Sequence, residues 1–141
     1  EPLQPADIEG FAFEMLTDLT AVDYLGQKEP RFEVVLHLYS LSKNHRLRVK
    51  VELPEEAPEV PSVLSECKSA NWMERETYDF FGVQFKGHPD LRRILNVDDM
   101  DYFPLRKEYP LEDATRKDKD DRFFGRQGHE GVEFDKRVDR R

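Results

Sequence analysis

The stretch ERETYDFFG, residues 74–82, concentrates the side chains of this sequence that could do chemistry. Two carboxylates, Glu74 and Glu76, flank Arg75, and Asp79 follows beside the pair Phe80–Phe81. A carboxylate held among aromatic groups has a perturbed proton affinity, which general acid–base catalysis requires. At about 100° per residue a helix over this stretch sets Trp72, Met73 and Phe80 on one side, and Glu76 falls between Trp72 and Phe80, inside that apolar face. Arg75 and Asp79, four apart, can pair on the flank, and Glu74 lies with Tyr78 on the outer side. Glu76 is thus the first suspect for catalysis. The competing reading makes it a buried structural carboxylate neutralised by Arg92 or Arg93. That reading is favoured, because no nucleophile, metal set or glycine-rich phosphate loop accompanies Glu76.

His88, in GHPD, could ligate a metal or carry a proton, but a turn histidine bonded to backbone is the commoner case. His37, His45, His88 and His129 show no metal-ligand spacing. Cys67 is the only cysteine, which excludes an intrachain disulfide framework, a CxxC zinc knuckle and a set of iron–sulfur ligands, and it reads as a small packing residue in a reducing compartment. An independent hydrolase or metalloenzyme using Glu76 and His88 is the minor alternative.

The elements that must position these residues are partly legible. A chain of 141 residues with 38% hydrophobic content supports one core. A charged fraction of 37% and a net charge of −8 argue against a nucleic-acid partner. Apolar runs such as EVVLHLYSL are too short and interrupted to cross about 30 Å of hydrocarbon. Residues 1–10 read as a lead-in without signal-peptide grammar, and FAFEMLTDLTAVDY (11–24) alternates like a strand with one irregular step. RFEVVLHLYSL (31–41) and RLRVKVELP (46–54) keep a strict period of two around the turn SKNH, which predicts a β-hairpin with one wet face. PEEAPEVPS (54–62) reads as a linker.

A helix is predicted over 71–81, with Asn71 and Glu74 as a capping box, Gly82 as its C-terminal glycine, and another turn around 62–67. VQF then reads as a short strand and KGHPDL as a turn on Gly87 and Pro89. Beyond Leu95, Pro104 and Pro110 frame Leu105, Arg106, Lys107, Glu108 and Tyr109, which predicts an extended segment. Its exposed Tyr102, Phe103 and Tyr109 point to a partner protein, with folding back over its own sheet as the alternative. Residues 112–141 hold nine basic and nine acidic side chains and little to bury, so ordering on a partner is expected. The expected organisation is an α+β domain over 1–95, two-layered with a mostly antiparallel sheet, and an extended partner-binding arm over 96–141.

ANWMERETYDFFGVQFKGHPDLRRIL (70–95), PLRKEYPL (104–111) and DLTAVDY (18–24) together resemble the 30 kDa subunit, the C component, of respiratory complex I, the proton-pumping NADH:quinone oxidoreductase. The resemblance implies a two-layer α+β fold in the peripheral arm, on the cytoplasmic side of the inner membrane. It implies a structural protein bound chiefly to the quinone-site D component, with the iron–sulfur B and I components nearby. It implies no cofactor on this chain: FMN and the iron–sulfur clusters belong to the partners. The family-motif residues Glu74, Arg75, Glu76, Asp79, Phe81, Gly82, Gly87, His88, Pro89, Arg92, Pro104, Leu105, Arg106, Lys107, Tyr109, Pro110 and Leu111 are then structural or interface residues. Members usually carry a further α/β segment ahead of DLTAVDY, so the first domain is expected to lack its N-terminal part. Membrane-bound hydrogenases and ferredoxin-driven relatives contain equivalent subunits and are the alternative of the same fold.

Overall fold

The structure, a computed structural model, describes residues 12–109. Strands β1 (Met15–Asp23), β2 (Phe32–Ser40) and β3 (His45–Leu53) form an antiparallel meander in the order β1-β2-β3. The hairpin β2–β3 follows the period-two pattern, with Asn44 taking the left-handed φ of 54° in its turn. The irregular step in the first strand is a bulge between Leu16 and Asp18.

Beyond β3 the fold departs from expectation. Residues 59–61, inside the predicted linker, form a short strand β4 (Glu59–Pro61), which pairs in parallel with β5 (Gln84–Lys86). Helix α1 (Ala70–Phe81) is the crossover between them. The prolines are misleading because Pro61 sits at the end of an edge strand, where no ladder donor is needed.

Helix α1 begins at Ala70, not Asn71, and Ser69 at its N-cap makes no side-chain capping bond, so the capping box is absent. A turn precedes it, with the Cys67 amide on the Val63 carbonyl at 2.9 Å. Its end is as expected: Gly82 takes φ 76° and its N–H closes on the Tyr78 carbonyl at 2.8 Å.

The core lies between the sheet and the helix. Leu16, Leu19 and Ala21 from β1, Phe32, Val34 and Leu36 from β2 and Leu53 from β3 meet Ala70, Phe81, Val83 and Phe85. Of the three strands of this sheet the helix approaches only β1. The opposite face of β3 is exposed at Arg46, Arg48, Lys50 and Glu52, as the alternation requires. Glu33 on that face is nonetheless buried, held by Lys50 at 2.7 Å, Lys28 at 3.1 Å and the Tyr24 hydroxyl at 3.4 Å.

Residues 96–109 are not an extended arm. They run as successive turns folded onto the helix end and the sheet, so the body of the fold extends past residue 95. Pro110, Leu111 and the tail 112–141 lie outside the described residues.

Candidate functional site

Helix α1 turns Glu74, Arg75 and Asp79 inward and its tryptophan outward. Glu74 and Asp79 have no solvent exposure, Arg75 is buried, and Trp72 is 59% exposed. Glu76 is exposed too, so it does not lie on the core face and neither Arg92 nor Arg93 neutralises it. Arg92 pairs instead with Asp90 at 3.0 Å in solvent. The helical wheel fails because it equates the buried face with the apolar one. Here the inward carboxylates are satisfied by loop backbone, a resource that helical periodicity cannot display.

Glu74, expected outside with Tyr78, accepts the Ser62 hydroxyl and the Val63 amide, both at 2.7 Å, and so ties the chain leaving β4 to the helix. Asp79, expected to pair with Arg75, gathers the loop after the GHPD turn. Its Oδ2 accepts the amides of Ile94 at 3.1 Å, Leu95 at 2.8 Å and Asn96 at 2.9 Å, while its Oδ1 accepts Arg93 Nη1 at 2.8 Å and Asn96 Nδ2 at 3.1 Å. Burial alone would push the Asp79 carboxyl up. The Asn96 amide, the Arg93 guanidinium and the Leu95 amide outweigh it and hold the carboxyl well below the usual carboxylate range.

Arg75 donates to the carbonyls of Arg92 at 3.2 Å and Arg93 at 3.1 Å, with its guanidinium 5.4 Å from the Trp72 ring centre. Arg93 also donates to the carbonyls of Met100 and Tyr102, both at 2.8 Å. Arg75 and Asp79 therefore hold residues 92–96 onto the helix, and Arg93 extends that hold to residues 100 and 102. His88 accepts the Asp90 amide at Nδ1, 3.1 Å, and faces the Asn71 carbonyl at 3.3 Å with Nε2, a geometry that selects the Nε2–H tautomer. This is the backbone-bonded turn histidine, on the turn where Gly87 has φ 89° ahead of Pro89. Among the described residues no three of His, Cys, Asp and Glu cluster as metal ligands would.

The PLRKEY segment reaches the other end of the helix. The Leu105 amide donates to the Phe80 carbonyl at 3.2 Å and Arg106 Nε to the Phe81 carbonyl at 2.7 Å. The Arg106 guanidinium lies between the rings of Phe32 and Phe103, at 5.1 and 4.8 Å from their centres. Phe103 stands edge-on to Tyr78 at 6.0 Å, and Tyr102 meets Tyr109 at 5.0 Å. The aromatic residues that suggest an adhesive arm are thus engaged within the chain, whereas Pro104 is half-buried and Leu105 and Tyr109 stay exposed.

Sequence reasoning misses the anchor beneath this segment. Asp23, at the end of β1, accepts Arg31 in a two-pronged pair at 2.9 and 2.7 Å, the Leu25 amide at 2.9 Å and the Lys107 amide at 2.8 Å. Arg31 also pairs with Glu55 and with Glu108. Burial opposes ionisation of Asp23, but the Arg31 bond and the two amides prevail and lower its pKa; Arg31 is correspondingly raised, first by its bond to Asp23. The available signal is that Asp23 lies in the DLTAVDY motif and Glu108 in PLRKEYPL, two separate motifs that one arginine joins.

These geometries hold a fold together; every buried carboxylate among the described residues is occupied by backbone, hydroxyl or cation, and none is left aimed at a cleft. Comparison with known proteins agrees on identity. The family model described as "Respiratory-chain NADH dehydrogenase, 30 Kd subunit" matches residues 5–115. The C component of the Geobacter sulfurreducens NADH-quinone oxidoreductase is 51% identical over 109 residues, covering 77% of this chain and 67% of that protein. The chain thus spans about two thirds of the length of such relatives. Among solved structures, a trypsin-resistant fragment of Nqo5 is similar with a TM-score of 0.55 and 42% identity, over 61% of this chain and 71% of that one. A chain of an archaeal membrane-bound sulfane sulfur reductase, a respiratory membrane complex, is similar with a TM-score of 0.67 and 25% identity, over 93% of this chain and 75% of that one. Motif, fold and relatives converge, and the chain belongs to the 30 kDa subunit family of respiratory-chain NADH dehydrogenase.

Proposed function

We propose that the chain is a non-catalytic assembly subunit in the peripheral arm of a proton-translocating NADH:quinone oxidoreductase. The observation that carries this reading is the inward clamp of α1: Glu74, Arg75 and Asp79 are all committed to holding neighbouring chain, in a protein half identical to the C component of an NADH-quinone oxidoreductase. In this reading NADH oxidation, FMN and the iron–sulfur clusters belong to partner proteins, and the isolated chain has no activity of its own. The quinone-site D component is the chief partner, with the iron–sulfur B and I components nearby, on the cytoplasmic side of the inner membrane. No helix among the described residues is long and apolar enough to cross a membrane; in this reading the contact with the bilayer is made through the complex.

The exposed side chains supply the surface for such contacts. Trp72, at 59% exposure, lies beside Arg75, whose carbonyl partners lead to the exposed Leu95 and Val97. Large solvent-facing aromatic residues of this kind anchor protein interfaces. Purification of the tagged chain in mild detergent tests the proposal. Recovery of flavin- and NADH-binding subunits with it is expected, and recovery of the chain alone overturns it. Removal of residues 111–141 should weaken that recovery while leaving the sheet and helix folded by circular dichroism.

A second reading rests on the sulfane sulfur reductase likeness, which makes this an equivalent subunit of a different respiratory membrane complex. Its mark in the same purification is a hydrogenase or ferredoxin-linked subunit in place of the NADH-binding ones.

A further inference from the structure

The segment that returns over the fold after Asn96 is held differently at its two ends, and it supplies no member of the core. The buried apolar cluster draws on residues 16 to 85, and none of residues 97–109 is fully buried. At the near end the body of the fold depends on the segment. Asp79 Oδ2 takes the amides of Ile94, Leu95 and Asn96, and the Arg93 guanidinium, 8% exposed, spends Nη2 on the carbonyls of Met100 and Tyr102. Lifting this end would strand a buried carboxylate and a buried cation together.

At the far end the bonds close a ring. The Lys107 amide donates to Asp23 Oδ2 at 2.8 Å, Arg31 Nη2 donates to the same oxygen at 2.7 Å, and that Nη2 also donates to Glu108. Two adjacent residues thus grip both members of one buried ion pair, an amide on the acid and a carboxylate on the base. Because they share one short stretch of backbone, the two bonds form and break together. What is left behind when they part is still satisfied: Asp23 keeps both prongs of Arg31 and the Leu25 amide at 2.9 Å, and Arg31 keeps Asp23 and Glu55. No buried charge is stranded on this side.

We propose that residues 103–109 are a strap that opens and closes reversibly as one unit, hinged beside Tyr102 and latched by Lys107 and Glu108 on the Asp23–Arg31 pair, while the sheet, α1 and the clamp on residues 92–96 stay folded. Tyr102 is the hinge because it is the last residue that Arg93 holds. Opening lifts the Phe103 ring from its seat on Gly82, draws the Arg106 guanidinium off the Phe32 ring and leaves Arg31, 4.7 Å from that ring centre, as its remaining cation. The Phe80 and Phe81 carbonyls, released by the Leu105 amide and Arg106 Nε, turn to water as helix-terminal carbonyls commonly do. The exposed side chains of Leu105 and Tyr109 ride on the strap, so its closure fixes where both are presented. A unit that contributes nothing to the core and strands nothing on leaving it belongs at the low-energy end of local opening.

Amide hydrogen exchange of the full chain in low urea tests this. The amides of Leu105, Arg106, Lys107 and Tyr109, all hydrogen-bonded in the closed form, should share one opening free energy, exchange at least about tenfold faster than those of the central strand β2, and respond only weakly to urea. The amides of Ile94, Leu95 and Asn96 should not join them. Glu108→Gln, which weakens a charge-assisted bond of the latch, should speed all four roughly tenfold. Leu36→Val, inside the sheet, should speed β2 by up to about tenfold and leave the four unchanged, because it destabilises the open and closed forms alike. One free energy and one urea dependence for the four and for β2 would overturn the proposal, since the segment would then open only with the whole fold. Four unrelated rates would overturn it too, as the mark of fraying, and joint exchange of residues 94–96 with the four would remove the hinge. Unchanged rates in Glu108→Gln would remove the latch.

Discussion

Neutralising Asp79 strands the Arg93 guanidinium, which is only 8% exposed, and replaces an acceptor of three backbone amides with a group that must present an NH2 to some of them. Asp79→Asn should therefore cost about 3 kcal/mol, the scale of a buried pair broken on one side. Glu76→Gln, on the solvent side of the same helix, should stay within about 0.5 kcal/mol. Urea midpoints of the two variants distinguish these outcomes, and comparable losses would refute the assignment. The pH dependence follows from the same carboxylates. Asp79 and Asp23 are both depressed in the folded chain, so each binds a proton in the unfolded chain first. Their stabilisation is complete above the unfolded value near about pH 4 and is lost as pH falls from there through the folded values. Urea midpoints should be flat in this respect from about pH 5 upwards and should drop below about pH 4. Asp79→Asn should remove its share of that drop. At this scale the sequence announces which residues matter and misassigns their directions: Glu74, Glu76 and Asp79 all lie in the motif, yet the partners of Glu74 and Asp79 include amides of residues 63 and 94–96, invisible to any local periodicity.

Gly82 does two jobs at the end of α1. It takes a left-handed φ of 76°, and a Cβ built there would stand 2.5 Å from the Phe103 ring and 2.7 Å from Arg106 Nη2. Gly82→Ala should thus lose about 1 kcal/mol to backbone strain and more to displacement of residues 103–106. Limited trypsin cleavage at Arg106 or Lys107 should accelerate in the variant, because a segment lifted from its seat opens locally. Wild-type cleavage rates in Gly82→Ala would show that the segment is not seated against that glycine. The hairpin, the bulge in β1 and the glycine stop of the helix are all readable, since each depends on neighbours in sequence. The strand β4 is not, because its partner β5 lies beyond the whole of α1, and the prolines around it argue for a linker. The inward return of residues 96–109 is the weaker of two sequence readings, since nothing in PLRKEY itself reveals that Asp23 awaits the Lys107 amide.

Over residues 12–109 the molecule leaves Trp72, Leu95 and Val97 among its exposed apolar side chains, and Arg46 and Arg48 have no carboxylate partner among the described residues. Trp72→Ala should leave the urea midpoint nearly unchanged, given its exposure, yet reduce retention in the complex by more than about 1 kcal/mol, as interface anchors do. Equal retention of wild type and variant under mild detergent would remove Trp72 from the interface. Fold class and family membership are legible because the motifs lie in one order over most of the chain. Which surfaces face partners is not, because a helix with a tryptophan outside and carboxylates inside inverts the rule by which faces are ordinarily assigned.

The bond from the Lys107 amide to Asp23 has a further consequence, for synthesis. Residues 15–53 leave the ribosome well before residues 103–108, so the nascent sheet must wait with Asp23 and Arg31 only partly satisfied and with Phe32 lacking the Arg106 guanidinium above it. A chain stalled before Tyr102 therefore displays a buried-type ion pair and an open aromatic surface to whatever is nearby, a chaperone or a premature partner. The motif PLRKEY is in this sense a time stamp: its arrival closes the fold and withdraws that surface from competition.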